Sequence, residues 1–147
     1  MNMLNNKGFT LIEVLVAIVI VSIGLLAVAG MQNTAIYGNA SARDATYAVQ
    51  LAEEMVDRIR VNSGDTPEIY DNITTSNCAG LVDPALGDCT QWQSRLQTSG
   101  LSSATGEVDV VTNVPISETA TITVTVTWGS ITSRSVTVTT ILETWLT

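Results

Sequence analysis

The sequence predicts an α+β protein in which one long N-terminal helix lays its C-terminal half on a small antiparallel β-sheet, with a disulfide-pinned loop region between them. Three observations carry this expectation. Phe9 to Met31 is apolar apart from one acid and a few small polar residues, apolar residues recur at helical spacing from Ala45 to Ile59, and Thr119 to Ile141 alternates between apolar and polar. A repeat near 3.6 marks one face of a helix, and a repeat of 2 marks a half-buried strand. The chain of 147 residues is short enough for one domain. Its apolar opening cannot double as the core of a soluble domain, so about a hundred residues remain to fold independently.

The first element is the run from Phe9 to Met31, in which Glu13 is the only charged residue. A helix needs about 20 apolar residues to cross a bilayer, so this run is long enough to span. It is apolar all round, as a membrane span or a helix buried among other helices would be. Lys7 precedes the run and the next basic residue is Arg43, which puts the start of the chain in the cytoplasm and the rest on the periplasmic or exterior side.

The helical pattern does not stop at Met31. Ala45, Ala48, Ala52, Met55 and Ile59 advance by three and four residues, so an amphipathic helix continues over 32–62. Glu54 and Arg58 are spaced to pair along it, Arg58 and Arg60 suit the negative end of its dipole, and Asn62-Ser63-Gly64 is a stop signal. Read as one helix, Phe9 to Arg60 would be about 80 Å long. Gly24, Gly30 and Gly38 are the points where it could bend.

A head follows over 63–147. Its first part, 63–107, is polar and rich in Gly, Ser and Asp, and "QWQSRLQTSG" offers at most one short helix with Trp92 and Leu96 on one face. Cys78 and Cys89 lie in this stretch, on the side placed outside the cytoplasm, where a disulfide is the default. Closing such a loop stabilises a fold by roughly 3 kcal/mol in the chain-entropy model. The sheet is expected over 108–142: Ile122, Val124, Val126 and Trp128 share one face, Val136 and Val138 repeat the pattern, and Gly129-Ser130 forms the turn. Val108 to Val114 is the candidate third strand. The apolar face of this sheet has the Ala/Met/Ile face of the helix as its natural partner.

Composition narrows the function classes. The chain has 6 basic and 14 acidic residues and a net charge of −8. Scattered basic residues argue against nucleic acid as a partner except through a local patch, because such binding is driven by clustered Lys and Arg. With no histidine the chain lacks the commonest acid/base group, and no nucleophile motif or phosphate loop is present, so an enzyme is not expected. Two thiols without histidine do not make a zinc set. The acids of "GDTPEIYDN" lack the calcium-loop pattern and read as a solvated surface. No metal or cofactor is expected.

Glu13 is the residue that needs an explanation, and three are open. Thr10 and Glu13 fit the Ser/Thr-x-x-Glu capping box and could serve only the helix start. The run could be a secretory signal peptide, with Lys7 before it and Ala27-Val28-Ala29 as a cleavage site; against this, the run is long, carries an acid and continues into a helical pattern. Third, a carboxylate in a membrane span is unfavourable by about 2.5 to 3.5 kcal/mol and marks a pairing site. No Lys or Arg lies between Phe9 and Met31. A cut between Gly8 and Phe9 would create an ammonium about 6 Å along the helix from Glu13, or bring one from a staggered neighbouring chain.

"KGFTLIEVLVAIVIVSIGLLAVAGMQ" resembles the class III signal of type IV pilins and pseudopilins. In that family a short polar leader, here 1–8, is cut after a glycine by a prepilin peptidase, the new terminus is N-methylated, and an acid stands at the fifth mature position. Gly8, Phe9 and Glu13 match those places. With "LAEEMVDRIRVN", "DCTQWQSRL", "ITVTVTW" and "SRSVTVTTIL" the chain is similar to PilV-type minor pilins, also called type IV pilus modification proteins. The helix proline of major pilins is absent, with Gly30 near its place, which favours a minor subunit.

The resemblance implies a pilin-like fold and a structural subunit that enters the pilus in few copies and primes assembly at the tip. Phe9 would be the modified terminus, Glu13 would engage the amino terminus of an adjacent pilin, and 9–31 would serve as transmembrane and then filament-core helix. The implied partners are the prepilin peptidase, the inner-membrane assembly platform, other minor pilins and the major pilin. The implied location is the inner membrane, single-pass with a periplasmic head, and then the pilus on the cell surface. The alternatives are an I-type pseudopilin of a type II secretion system and a membrane-anchored binding module or adhesin that never polymerises.

Overall fold

The computed structural model describes residues 8–144. Of the expected leader only Gly8 falls among them; Lys7 and the residues before it lie outside. The chain divides into two compact units, Met1–Ser41 and Ala42–Thr147, and one helix, α1 (Leu11–Asn62), contributes to both.

In the first unit α1 begins at Leu11 because Thr10 caps it: the Glu13 amide reaches Thr10 Oγ1 at 3.4 Å and the Thr10 carbonyl at 3.1 Å. This satisfies a backbone donor that a helix start otherwise leaves orphaned. The helix passes through Gly24, Gly30 and Gly38 without a break, and every residue from 8 to 40 is exposed. Its 18-residue apolar window has none of its surface buried. Such a helix is long and apolar enough to cross a membrane.

In the second unit α1 acquires two faces. Ala48, Leu51, Ala52, Met55, Val56 and Ile59 are buried, as the three-and-four spacing requires. The helix ends at Asn62, the Ser63 amide closing on the Ile59 carbonyl at 2.9 Å, and Gly64 follows at φ +53°. That left-handed conformation carries no Cβ penalty in glycine, so the stop signal acts where it was expected.

Four strands follow: β1 (Ile73–Thr74), β2 (Thr105–Thr112), β3 (Thr119–Trp128) and β4 (Arg134–Glu143), after a 3-10 turn at Pro67–Tyr70 and with α2 (Ala85–Thr98) between β1 and β2. They form one sheet in the order β1-β2-β3-β4, every neighbouring pair antiparallel. Val108 stands opposite Val124 and Val124 opposite Val138, so one apolar row crosses three strands. Ile122, Val124, Val126 and Trp128 of β3 are buried. These side chains form a single core with the buried face of α1 and with Trp92 and Leu96 of α2, which is the helix laid on a sheet that the two periodicities predict. Burying one such large apolar side chain stabilises by about 1.5 to 3 kcal/mol.

The stretch expected to be mostly loop is more ordered than its composition suggests. The helix α2 starts at Ala85, not near Gln91, and takes in Cys89; Ala85, Cys89, Trp92 and Leu96 form its buried face. Ile73 pairs with Val108 to make β1, and β2 begins at Thr105. The connection from β3 to β4 spans 129–133, longer than the Gly129-Ser130 turn. Gly129 opens it at φ +109°, where a Cβ would meet the Thr132 carbonyl oxygen at 2.3 Å, so only glycine fits.

Candidate functional site

The predicted residues fall into two places. Gly8, Phe9 and Glu13 belong to the first unit; Cys78 and Cys89 belong to the second, where they are joined in a disulfide with a Cα–Cα distance of 5.8 Å. Both cysteines are buried, so the bond acts as a clamp holding the loop after β1 against the first turns of α2. Asn72, first residue of an Asn-Ile-Thr sequon, is exposed at a left-handed turn position.

At the start of α1 the polar groups can be accounted for one by one. Between Phe9 and Met31 the polar side chains belong to Thr10, Glu13 and Ser22. Thr10 caps the helix, and the Ser22 hydroxyl donates to the Ile18 carbonyl at 2.7 Å. The Glu13 amide takes part in the cap, but among the described residues no hydrogen bond or ion pair reaches the Glu13 carboxylate. The reciprocal half of a capping box is therefore unmade. Phe9 is 84% exposed, and it lines a shallow groove with Glu13, Val14, Ala17, Ile18, Val21 and Ser22. Residues four apart form ridges on a helix, and the groove between two such ridges is where another helix packs. One unmatched carboxylate in an otherwise apolar groove favours a cationic group carried by whatever enters it.

The head holds a polar cluster that the sequence did not announce. Asp88, in the first turn of α2, is buried and accepts three contacts: Tyr70 OH at 2.6 Å, Asn62 Nδ2 at 2.8 Å and Arg58 at 3.2 Å. Arg58 also donates to Glu54 at 2.9 Å, the pair its spacing predicted, and to Gln91 at 2.9 Å. Burial lowers the affinity of the Arg58 guanidinium for its proton, but Glu54 and Asp88 outweigh this and raise its pKa. Burial and the bond to Asp88 raise the Tyr70 hydroxyl well above its ordinary range. The cluster ties the end of α1, the 3-10 turn and α2 together beside Cys89, a structural role. Only its Glu54–Arg58 part was legible, because Asp88 and Tyr70 lie 30 and 18 residues from their partners. Among the described residues no group of His, Cys, Asp and Glu is arranged to hold a metal ion.

Residues 3–29 match the family described as the prokaryotic N-terminal methylation motif. The match supports a type IV pilin-like protein. It covers 3–8 of the expected leader, Phe9, Glu13 and most of the apolar run, and so it speaks for the first unit. A pilin-type motif suggests a structural, non-enzymatic protein. With the apolar helix, it fits a single-pass membrane anchor that carries a C-terminal domain and is processed by a prepilin peptidase. The long helix, four-stranded antiparallel sheet and disulfide make the fold pilin-like. No curated protein matches the chain, and no solved structure does either.

Proposed function

We propose that this pilin-like protein is a minor pilin of the PilV type, a structural subunit that primes type IV pilus assembly at the tip. The observation that carries the reading is the Glu13 carboxylate, unmatched among the described residues in the exposed apolar first part of α1. In water such a helix would aggregate, and in lipid such an acid would be strained. A second subunit resolves both problems if its helix covers the groove and its amine meets the acid.

The chemistry runs in that order. The prepilin peptidase cuts between Gly8 and Phe9 on the cytoplasmic face, Phe9 becomes the N-methylated terminus, and the span over 9–31 holds the subunit in the inner membrane with its head in the periplasm. Glu13 then engages the terminus of an adjacent pilin as the helix leaves the bilayer for the filament core. Electrostatic attraction strengthens as water is excluded, so the pair sets the offset between neighbouring helices. The remaining partners are the assembly platform, other minor pilins and the major pilin.

Mass spectrometry of the mature amino terminus, joined to the recovery of a Glu13→Ala variant in sheared surface filaments, tests the reading. A methylated Phe9 terminus, with the variant cut but lost from the filaments, is expected. A terminus at Gly30 would mean ordinary secretion. Recovery of the wild-type protein only with a secretion apparatus, or a variant incorporated like the wild type, would also overturn the proposal.

A further inference from the structure

The sheet ends in two unlike edges. On one side β1 is two residues long. On the other, β4 runs ten residues in unbroken register against β3, from Trp128↔Arg134 to Thr119↔Glu143, without a bulge. It contains no proline and no lysine, and its two charges, Arg134 and Glu143, sit at its ends. Soluble proteins blunt an edge by shortness, charge, proline or a bulge, because a row of open backbone groups templates another strand. The β1 edge is blunted by shortness, and the β4 edge has none of these protections along its middle.

The direction of each amide follows from one hydrogen bond. The Thr144 amide donates to the Glu118 carbonyl at 2.8 Å, extending the β3–β4 register. Bonded and non-bonded pairs alternate along an antiparallel ladder. The even-numbered residues of β4 therefore bond to β3, and Ser135, Thr137, Thr139, Ile141 and Glu143 turn their N–H and C=O groups outward. The other side of β3 agrees, since the Asn113 amide donates to the Thr119 carbonyl at 2.6 Å and so assigns odd-numbered residues of β3 to β2. Among the described residues no strand pairs with the outer edge of β4.

We propose that this edge docks a second copy of the chain, β4 against β4, antiparallel about Thr139. That register uses all five outward-facing residues, with Thr139 opposite its own copy, Thr137 opposite Ile141 and Ser135 opposite Glu143. Charge favours it: the antiparallel arrangement brings Arg134 of one copy to the end that holds Glu143 of the other, whereas a parallel one would bring like charges together. The facing residues at its centre are β-branched, and such cross-strand pairs stabilise a sheet. On the inner face Val136 meets Leu142, which continues the apolar rows of both sheets. The proposal does not depend on the pilin reading, because it rests on the head alone.

The test uses the full chain in detergent. Paired residues of the bonded type stand about 5.5 Å apart at Cα, within the span a disulfide bridges. Mild oxidation of Thr139→Cys should therefore give a covalent dimer, and Thr137→Cys, whose copy lies off register, should not. Thr139→Pro removes an outward N–H that β3 does not use and should abolish the dimer while leaving circular dichroism unchanged. Should that variant not fold, hydrogen exchange in the wild type decides: the amides of Thr137, Thr139 and Ile141 should exchange quickly in dilute samples and slowly in concentrated ones. Cross-linking equal at both cysteine positions, a dimer that survives in folded Thr139→Pro, or protection that appears only when other proteins are added would each overturn self-pairing.

Discussion

A Cβ placed on Gly106 would stand 2.2 Å from Cη2 of Trp92, closer than two carbons can approach. The Trp92 ring is fully buried against β2 at this point, and its Nε1 donates to the Leu51 carbonyl at 2.9 Å. One indole thus fixes α2 to both α1 and the sheet. Glycine within a strand is otherwise unfavourable, and here it marks the close approach of a ring. Gly106→Ala should destabilise the head by about 1 to 3 kcal/mol through overpacking. Adding Trp92→Leu should recover part of that loss, since the two residues touch. Thermal unfolding of the single and double variants would show the coupling, and strictly additive losses would contradict it.

The Tyr70–Asp88 bond makes stability sensitive to alkali. Burial and this bond hold the Tyr70 proton above the ordinary value of 10.0. As pH rises the unfolded chain therefore gives up its proton before the folded one, so this contribution is complete below pH 10 and is lost above it. Tyr70→Phe should remove that part of the alkaline decline. At neutral pH it should be less stable by about 1 to 3 kcal/mol, because buried Asp88 loses a donor. Melting temperatures of both proteins, followed from neutral pH to above pH 10, would decide; parallel curves would assign the decline to other groups.

Replacing both cysteines by serine should lower the stability of the head by roughly 3 kcal/mol in the chain-entropy model. The loss should appear as faster hydrogen exchange between β1 and α2, the segment that the Cys78–Cys89 bond clamps. Denaturant titrations with identical midpoints for the variant and the wild type would show that the bond adds nothing.

Gly8 offers a test of processing that spares the fold. A Cβ at Gly8 would meet no atom within 4 Å, so Gly8→Val should leave the secondary structure intact while the uncut precursor accumulates. Immunoblots of membranes would reveal the larger form. Normal cleavage of this variant would remove Gly8 from the recognition site.

What could be read from the chain, and what could not, divides by sequence distance. The apolar run, the two-residue alternation of β3 and the buried face of α1 are patterns along the backbone, and the backbone geometry of helix and strand translates a repeat directly into a face. The stop of α1 at Asn62 is a local signal in Asn62-Ser63-Gly64. The Glu54–Arg58 pair was legible for the same reason, being one helical turn apart. By contrast α2 is longer than its composition suggests, because Ala85 and Cys89 extend its buried face through a stretch whose Gly and Asp look like loop.

The sequence by itself determined the long helix, three of the four strands, the lone acid at Glu13 and the cysteine pair as candidates, since each is local in composition or period. Only the tertiary structure decided that Trp92 would demand glycine at 106, that Asp88 would gather Arg58, Asn62 and Tyr70, and that β4 rather than β1 would present the long open edge. These depend on which surfaces meet after the chain has closed. That choice is made by packing the whole core at close to crystal density, and no single stretch of sequence encodes it.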